Sequence, residues 1–313
     1  MKATRTFNLL MDDCTLFKPS TRGARNLNIC ELAGNLAYHA MMLEVHLTPK
    51  PGLVDCHSTG SHNDMDLNTF IASSNALHPF MKQFVNTGAR MSYLPAKAIL
   101  PSLRKVGIQA EKAMFEATNG VNTHKGMIFT LGLICGATGW LHSRRIGFDS
   151  LRVRSVIRAC CETLVRDDLS RTHKRPVTAG ERIYQQHGLT GIRGEAASGY
   201  PTIYDYALPV YKRAIKAGDS EEQAMSKTLL VLMAQNSDSN LVNRGGIAGL
   251  KLVKNYAHDL LEQDISTIQE REALMWKFDA LLVEKNLSPG GSADLLAATW
   301  LLAQLDTCSC ATF

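Results

Sequence analysis

Apolar positions recur along this chain at three- and four-residue spacing, and no stretch shows persuasive two-residue alternation. Between Asn28 and Leu47, the residues Ile29, Leu32, Leu36, Ala40, Leu43 and Leu47 draw one stripe, the pattern of a helix with a buried face. Phe70, Ser73, Leu77, Phe80 and Phe84 repeat it after Asp66, and Pro79 is expected to kink or break that helix. The same spacing predicts helices over 103–118, 127–142, 150–166, 178–186, 206–217, 221–235, 247–262, 267–285 and 292–305. The predicted fold class is all-α. A single compact multi-helix domain is expected over 28–313, preceded by a partly ordered leader over 1–27, because no Pro/Gly/Ser-rich linker or internal repeat divides the chain. Gly, Pro, His, Asn and acidic residues concentrate between the helices, as they do where a rigid scaffold presents functional loops.

Composition narrows the class of protein. With 313 residues, of which 45% are apolar, the chain can bury a sizeable core, which excludes disorder. Its 34 Lys+Arg against 29 Asp+Glu leave a net charge of +5, weak support for a nucleic-acid partner and equally suited to an anionic small substrate. The least polar stretch, residues 127–141, is shorter than the roughly 20 residues of a membrane span. The first residues lack a signal-peptide core, since Asp12 and Asp13 follow a very short apolar run. Eight cysteines without a CxxC pair indicate neither a zinc site nor a disulfide framework. The expectation is a cytoplasmic protein with free thiols and no nucleic-acid or membrane partner; a homo-oligomer is compatible with it.

Six clusters carry candidate chemistry. In residues 44–55 (EVHLTPKPGLVD), Glu44 lies at the edge of its apolar stripe, where a carboxylate needs a partner or a function. Pro49 and Pro51 stiffen the loop around Lys50, and Gly52 permits close approach of a ligand; a helix stop followed by a tight turn accounts for the same residues. In residues 61–66 (SHNDMD), capping explains one of Asp64 and Asp66, and with Asp55 the pair makes a hard-oxygen site for Mg²⁺. Residues 120–126 (GVNTHKG) precede an apolar helix, whose first amides attract phosphate while Asn122, His124 and Lys125 add donors and charge. The spacing is not that of a Walker motif, and a capped turn remains the plain alternative.

In residues 190–199 (TGIRGEAASG), Arg193 between glycines suits bidentate phosphate binding and Glu195 is a candidate base; a glycine-rich loop tied by an Arg–Glu pair accounts for the same residues. Residues 236–246 (NSDSNLVNRGG) read as a polar loop in which Asp238 and Asn240 suit a metal or a ribose hydroxyl, followed by Arg244. In residues 288–295 (SPGGSADL), Gly290, Gly291 and Ser292 form a phosphate-accommodating helix entrance, while Asp294 reads as a complement to the helix dipole. His39, His78, His142 and His258 lack metal-ligand spacing and read as packing residues. No GxSxG, HExxH or GxGxxG pattern occurs.

Taken together and in this order, the stretches EVHLTPKPGLVD, SHNDMD, NTHKG, GLTGIRGEAASG, DSNLVNRGG and SPGGSADL resemble the triphosphoribosyl-dephospho-CoA synthase family, associated with citrate lyase and malonate decarboxylase. The resemblance runs from about residue 28 to about 305, with DSN at 238–240 where the family is expected to carry DTN. It implies an all-helical enzyme that takes ATP and 3′-dephospho-CoA, releases adenine, and joins the triphosphoribosyl group to the ribose 2′-hydroxyl. The product would be the precursor of a prosthetic group that a separate transferase installs on an acyl carrier protein.

Several roles follow from this chemistry as expectations. Lys50, His124, Lys125, Arg193 and Arg244 would meet phosphates, with Gly52, Asn122, Asn240, Gly290, Gly291 and Ser292 beside them. Glu44, and after it Glu195, would accept the hydroxyl proton, and His124 or a protonated carboxylate would protonate adenine. Asp55, Asp64, Asp66 and Asp238 would hold Mg²⁺. Two other functions remain open: a Mg²⁺-dependent nucleosidase or ADP-ribosyl hydrolase using water as acceptor, and a non-catalytic nucleotide binder. A malonate decarboxylase context is the alternative to citrate lyase.

Overall fold

Twelve α-helices run through the computed structural model, which describes residues 28–170, 176, 178–263 and 267–310, and the described residues contain no strand. The all-α expectation therefore holds. The expected leader lies outside the described residues. Helix α1 (Ile29–His46) starts at Asn28, whose side chain accepts from the Cys30 and Glu31 amides. Helix α2 (Leu67–Arg90) starts at Asp66, where a reciprocal capping box with Thr69 satisfies two free donors. Pro79, expected to kink or break this helix, sits inside α2 without ending it.

Helix α3 (Leu100–Ala117) and α4 (Lys125–Ser143) complete the first group, with α2 packed against α1, α3 and α4. The α2–α4 crossing depends on glycine. A Cβ at Gly88 would fall 1.9 Å from the Gly136 carbonyl oxygen, and one at Gly139 would fall 2.0 Å from that of Val85. Backbones this close leave room for no side chain between them.

The second half comprises α5 (Ser150–Cys161), α6 (Ala179–His187), α7 (Gly191–Ser198), α8 (Leu208–Lys216), α9 (Glu221–Gln235), α10 (Ser239–Glu262), α11 (Ile268–Glu284) and α12 (Gly290–Cys310). In α12, Leu295, Leu296, Ala297, Ala298, Thr299, Trp300, Leu301, Leu302 and Leu305 are all fully buried, as expected of a helix apolar on every side. It packs against α1, α4 and α9 and forms the axis of the core. No helix of the described residues is long and apolar enough to cross a membrane. The described cysteines Cys30, Cys56, Cys135, Cys160, Cys161 and Cys308 are free.

Two segments read as loops are helical. Residues 191–198 form α7, closed by Gly199 at φ 76°. The polar run after Asp238 is the start of α10, with Asp238 as N-cap accepting from the Asn240 amide and Gly246 as a non-helical break within it. The helix predicted over 150–166 ends at Cys161, ahead of a short π-helical turn over Arg166–Ser170.

Candidate active site

Four stretches of the chain meet around a cavity of about 250 Å³: the end of α1 with its following loop and the start of α2, the start of α4, the start of α10 and the start of α12. Its titratable lining is Glu44, Lys50, His62, Lys125, Arg244 and Asp294; Phe70, Met65, Leu53 and Val54 supply an apolar wall, and Asn122, Asn240, Asn243 and Ser288 add polar groups. Full small-molecule sites run to about 300–1,000 Å³, so this cavity suits the reacting end of a substrate. A larger recess of about 390 Å³ lies on the Thr48–Pro49 segment between α9 and α11. It contains none of the candidate residues, and its Lys227 is paired with Asp219. The smaller cavity is thus the candidate site.

At its inner wall the Lys50 ammonium donates to Glu44 Oε1 at 2.5 Å, with both side chains only 2% exposed. Lys50, expected at a phosphate, is spent on this buried ion pair, and among the described residues Glu44 Oε2 has no hydrogen bond. The loop between α1 and α2 is pinned by the far end of the chain. The Gly52 amide donates to Asp279 Oδ1 at 2.8 Å, and Ser61 Oγ donates to the Leu287 carbonyl at 2.6 Å. Gly52 itself sits at φ 71°, where a Cβ would lie 2.3 Å from the Leu287 oxygen, so its close approach is to protein.

Arg244 joins the same two regions. It donates to the Ser61 carbonyl at 2.7 Å and Asn286 Oδ1 at 2.8 Å, and lies 3.0 Å from His62 Nδ1. His62 Nε2 is 2.9 Å from Ser288 Oγ. Burial and the Arg244 charge lower the His62 pKa, which leaves a neutral imidazole at the rim. Lys125 reaches Glu111 at 2.9 Å while half exposed, and its amide donates to Asn122 Oδ1.

His124 is buried behind the cavity and is not part of its lining. Its Nδ1 shares a 2.7 Å hydrogen bond with Ser73 Oγ, which also accepts from the cavity residue Thr123. Burial, assisted by the Lys50 charge, pushes its pKa down to about 3. An unfolded histidine titrates near 6.5, so below that pH the unfolded chain takes up a proton that the folded site refuses. Stability should fall as pH drops from 6.5 towards 3, with His124 accounting for about 2 kcal/mol at pH 5 relative to pH 7. Denaturant titrations of the wild type and His124→Asn at both pH values check this: the variant should lose that increment, and an unchanged difference would reject it.

The remaining expected residues lie elsewhere. Arg193 pairs with Asp168 at 3.4 Å. Glu195 accepts from the Thr202 amide and hydroxyl, and burial raises its pKa against those bonds. Ser292 donates from both its amide and hydroxyl to Asp238 Oδ2, and a Cβ at Gly291 would lie 3.0 Å from Asp238 Oδ1, so both serve the α10–α12 contact. Gly290 does line the cavity.

The four carboxylates expected to hold Mg²⁺ do not come together. Asp55 accepts from the Lys50, His57 and Ser58 amides, Asp66 caps α2, and Asp238 is buried under amide and hydroxyl donors. Asp64, 56% exposed, lies 3.7 Å from His62. Among the described residues no group of three or more His, Cys, Asp or Glu is placed to hold a metal ion. These residues do not fit a preformed Mg²⁺ site.

His62 and Asn243 join the cavity without a role having been given to them from sequence, and Asp294, read there as a complement to the helix dipole, lines it as well. His62 had a signal, since it stands inside SHNDMD; Asn243 had one in the repeated Asn spacing before Arg244. Asp294 is the fifth residue of α12, past the first turn in which it would complement the dipole.

A helical scaffold around a small cavity that combines cations, recessed carboxylates and one aromatic ring defines a protein that binds an anionic small molecule and can perform acid–base chemistry on it. Residues 30–313 match the family described as CitG: ATP:dephospho-CoA triphosphoribosyl transferase, and the chain belongs to that family. A Vibrio cholerae serotype O1 protein described as a probable 2-(5''-triphosphoribosyl)-3'-dephosphocoenzyme-A synthase is 55% identical over 287 residues, covering 91% of this chain and 92% of that one. A Photobacterium profundum protein with the same description is 49% identical over 304 residues, covering 96% and 97%. A 2-(5''-triphosphoribosyl)-3'-dephosphocoenzyme-A synthase of Pectobacterium atrosepticum is 48% identical over 269 residues, covering 86% and 87%.

Proposed function

We propose that this enzyme transfers the triphosphoribosyl group of ATP to the ribose 2′-hydroxyl of 3′-dephospho-CoA and releases adenine. The product is 2′-(5″-triphosphoribosyl)-3′-dephospho-CoA, the precursor of the citrate lyase prosthetic group, which a separate transferase attaches to the acyl carrier protein. Family membership supports the reaction. The observation that carries the placement is the cavity, where Glu44, with a cation against one oxygen only, faces the same space as Lys125, Arg244 and Phe70.

In this reading Lys125 and Arg244 at the rim meet phosphate oxygens, exchanging their present partners for charge-assisted bonds. Phe70 offers a face for the purine. Cleavage of the ribose–adenine bond gives C1′ oxocarbenium character, which the Glu44 carboxylate stabilises before taking the proton of the incoming hydroxyl. Mg²⁺ would arrive on the triphosphate, the usual way this ion is held alongside one or two carboxylates; no step here passes through it. Both substrates are cytoplasmic metabolites, and we place the reaction there.

Mass spectrometry after incubating the protein with ATP and 3′-dephospho-CoA tests this reading. The expected product has the summed mass less adenine. Adenine formed equally without dephospho-CoA would replace the transferase by a hydrolase, and ATP binding without adenine release would leave a binding protein.

A further inference from the structure

The cavity contains two carboxylates in opposite settings. Glu44 has the Lys50 ammonium against Oε1. Asp294, lining the same space, has no hydrogen bond or ion pair among the described residues. The cations around it are engaged elsewhere, Lys50 on Glu44, Lys125 on Glu111 and Arg244 on Ser61 and Asn286, and so is the Ser292 amide, on Asp238. His62 at the rim is bonded to Ser288 and Arg244. One side of Asp294 is walled by bare backbone, since a Cβ at Gly126 would fall 2.0 Å from Oδ2.

An ionised carboxylate only accepts hydrogen bonds, so a recessed one without donors favours its protonated form, which brings its own donor. Burial, with the charges of Asp238 and Glu44 added, raises the Asp294 carboxyl well above the usual carboxylate range. Paired carboxyl groups in such divergent settings divide acid and base roles between them.

The geometry points to Asp294 as the proton donor to the departing purine, an inference that rests on the transferase reading above. As the C1′–N9 bond breaks, its electron pair enters the purine and the Asp294 carboxyl proton passes to N7. Neutral adenine leaves as its N7–H tautomer. The 2′-hydroxyl oxygen of dephospho-CoA bonds to C1′ and its proton passes to Glu44. After adenine departs, Glu44 releases that proton to water and Asp294 recovers one.

The test compares wild type with Asp294→Asn, which keeps the shape but has no acidic proton. The variant's kcat should fall about 10²–10³-fold, with KM for dephospho-CoA within about twofold and thermal unfolding close to wild type. The wild-type rate should decline at alkaline pH as the donor ionises, and the variant should lack that limb. A second measurement needs no variant: 7-deaza-ATP, which has no N7, should bind the wild type and release no base. Near-normal kcat in Asp294→Asn, an alkaline limb unchanged by it, or turnover of 7-deaza-ATP would overturn the assignment. If the wild type itself forms no triphosphoribosyl product from ATP and dephospho-CoA, the transferase reading has failed instead.

Discussion

Glu44→Gln is expected to lower turnover by about 10²–10⁴-fold, the range for loss of a positioned base, with ATP affinity largely retained. The substitution has a second consequence that a simple activity assay would confuse with the first. Glu44 and Lys50 are both almost fully buried, and removing one partner of such a pair costs about 3–5 kcal/mol because the other charge is left unmatched. Exchanging both partners for neutral groups of similar shape is often close to neutral. The double variant Glu44→Gln/Lys50→Met should therefore recover most of the stability lost by the single variant and none of its activity. Urea unfolding and steady-state assays on both variants separate the effects. Recovery of turnover in the double variant would remove Glu44 from the chemistry and leave it a structural partner of Lys50.

Gly88→Ala should lower unfolding stability by about 2–3 kcal/mol, the cost of overpacking a tight contact. Helix propensity alone predicts the opposite, since Ala is favoured over Gly by about 1 kcal/mol inside a helix. The contact decides the sign: the added carbon would fall 1.9 Å from a backbone oxygen of α4, which cannot rotate away as a side chain can. Gly107→Ala in α3 is the matched control. Its Cβ would meet nothing nearer than Phe84 Cζ at 3.9 Å, so propensity should prevail and stability should rise by roughly 0.5–1 kcal/mol. Urea midpoints with unchanged slopes would give both values; equal stability of Gly88→Ala and wild type would show that α2 and α4 yield at this crossing. Because α4 begins at Lys125 and Gly126 on the cavity, the Gly88 variant should also lose activity while Gly107→Ala keeps it.

Periodicity exposed most of the helices, because each buries a stripe broad enough to recur every three or four residues. It failed at α7 and at the start of α10. In α7 the glycines suggested a loop, yet Gly194 is helical and faces Thr190, which a Cβ would meet at 1.8 Å. The start of α10 turns Asn240, Asn243 and Arg244 towards the cavity, so its functional face is polar and leaves no apolar rhythm to detect. The cavity residues were legible in part for a related reason. Glu44, Asn122, Lys125 and Arg244 stood out because charge or amide groups beside a helix end need explanation. Asp294 looked like an ordinary residue of a helix start, since what distinguishes it is the absence of donors from three other segments. Conversely, Asp55, Asp238 and Ser292 had the composition of a binding site but spend their polar atoms on backbone amides and each other. Spacing in sequence does not reveal which donors have already been taken.

The central position of α12 sets the order in which this protein can mature. It is synthesised after the other eleven described helices, yet the apolar faces of α1, α4 and α9 close on it. Until it leaves the ribosome, a nascent chain lacks the surface on which part of the apolar faces of α1, α4 and α9 is buried, and exposed apolar surface of this kind favours aggregation. The same helix brings Gly290 and Asp294 to the cavity. A chain whose translation stops early would therefore lack both the central helix of its core and its proton donor.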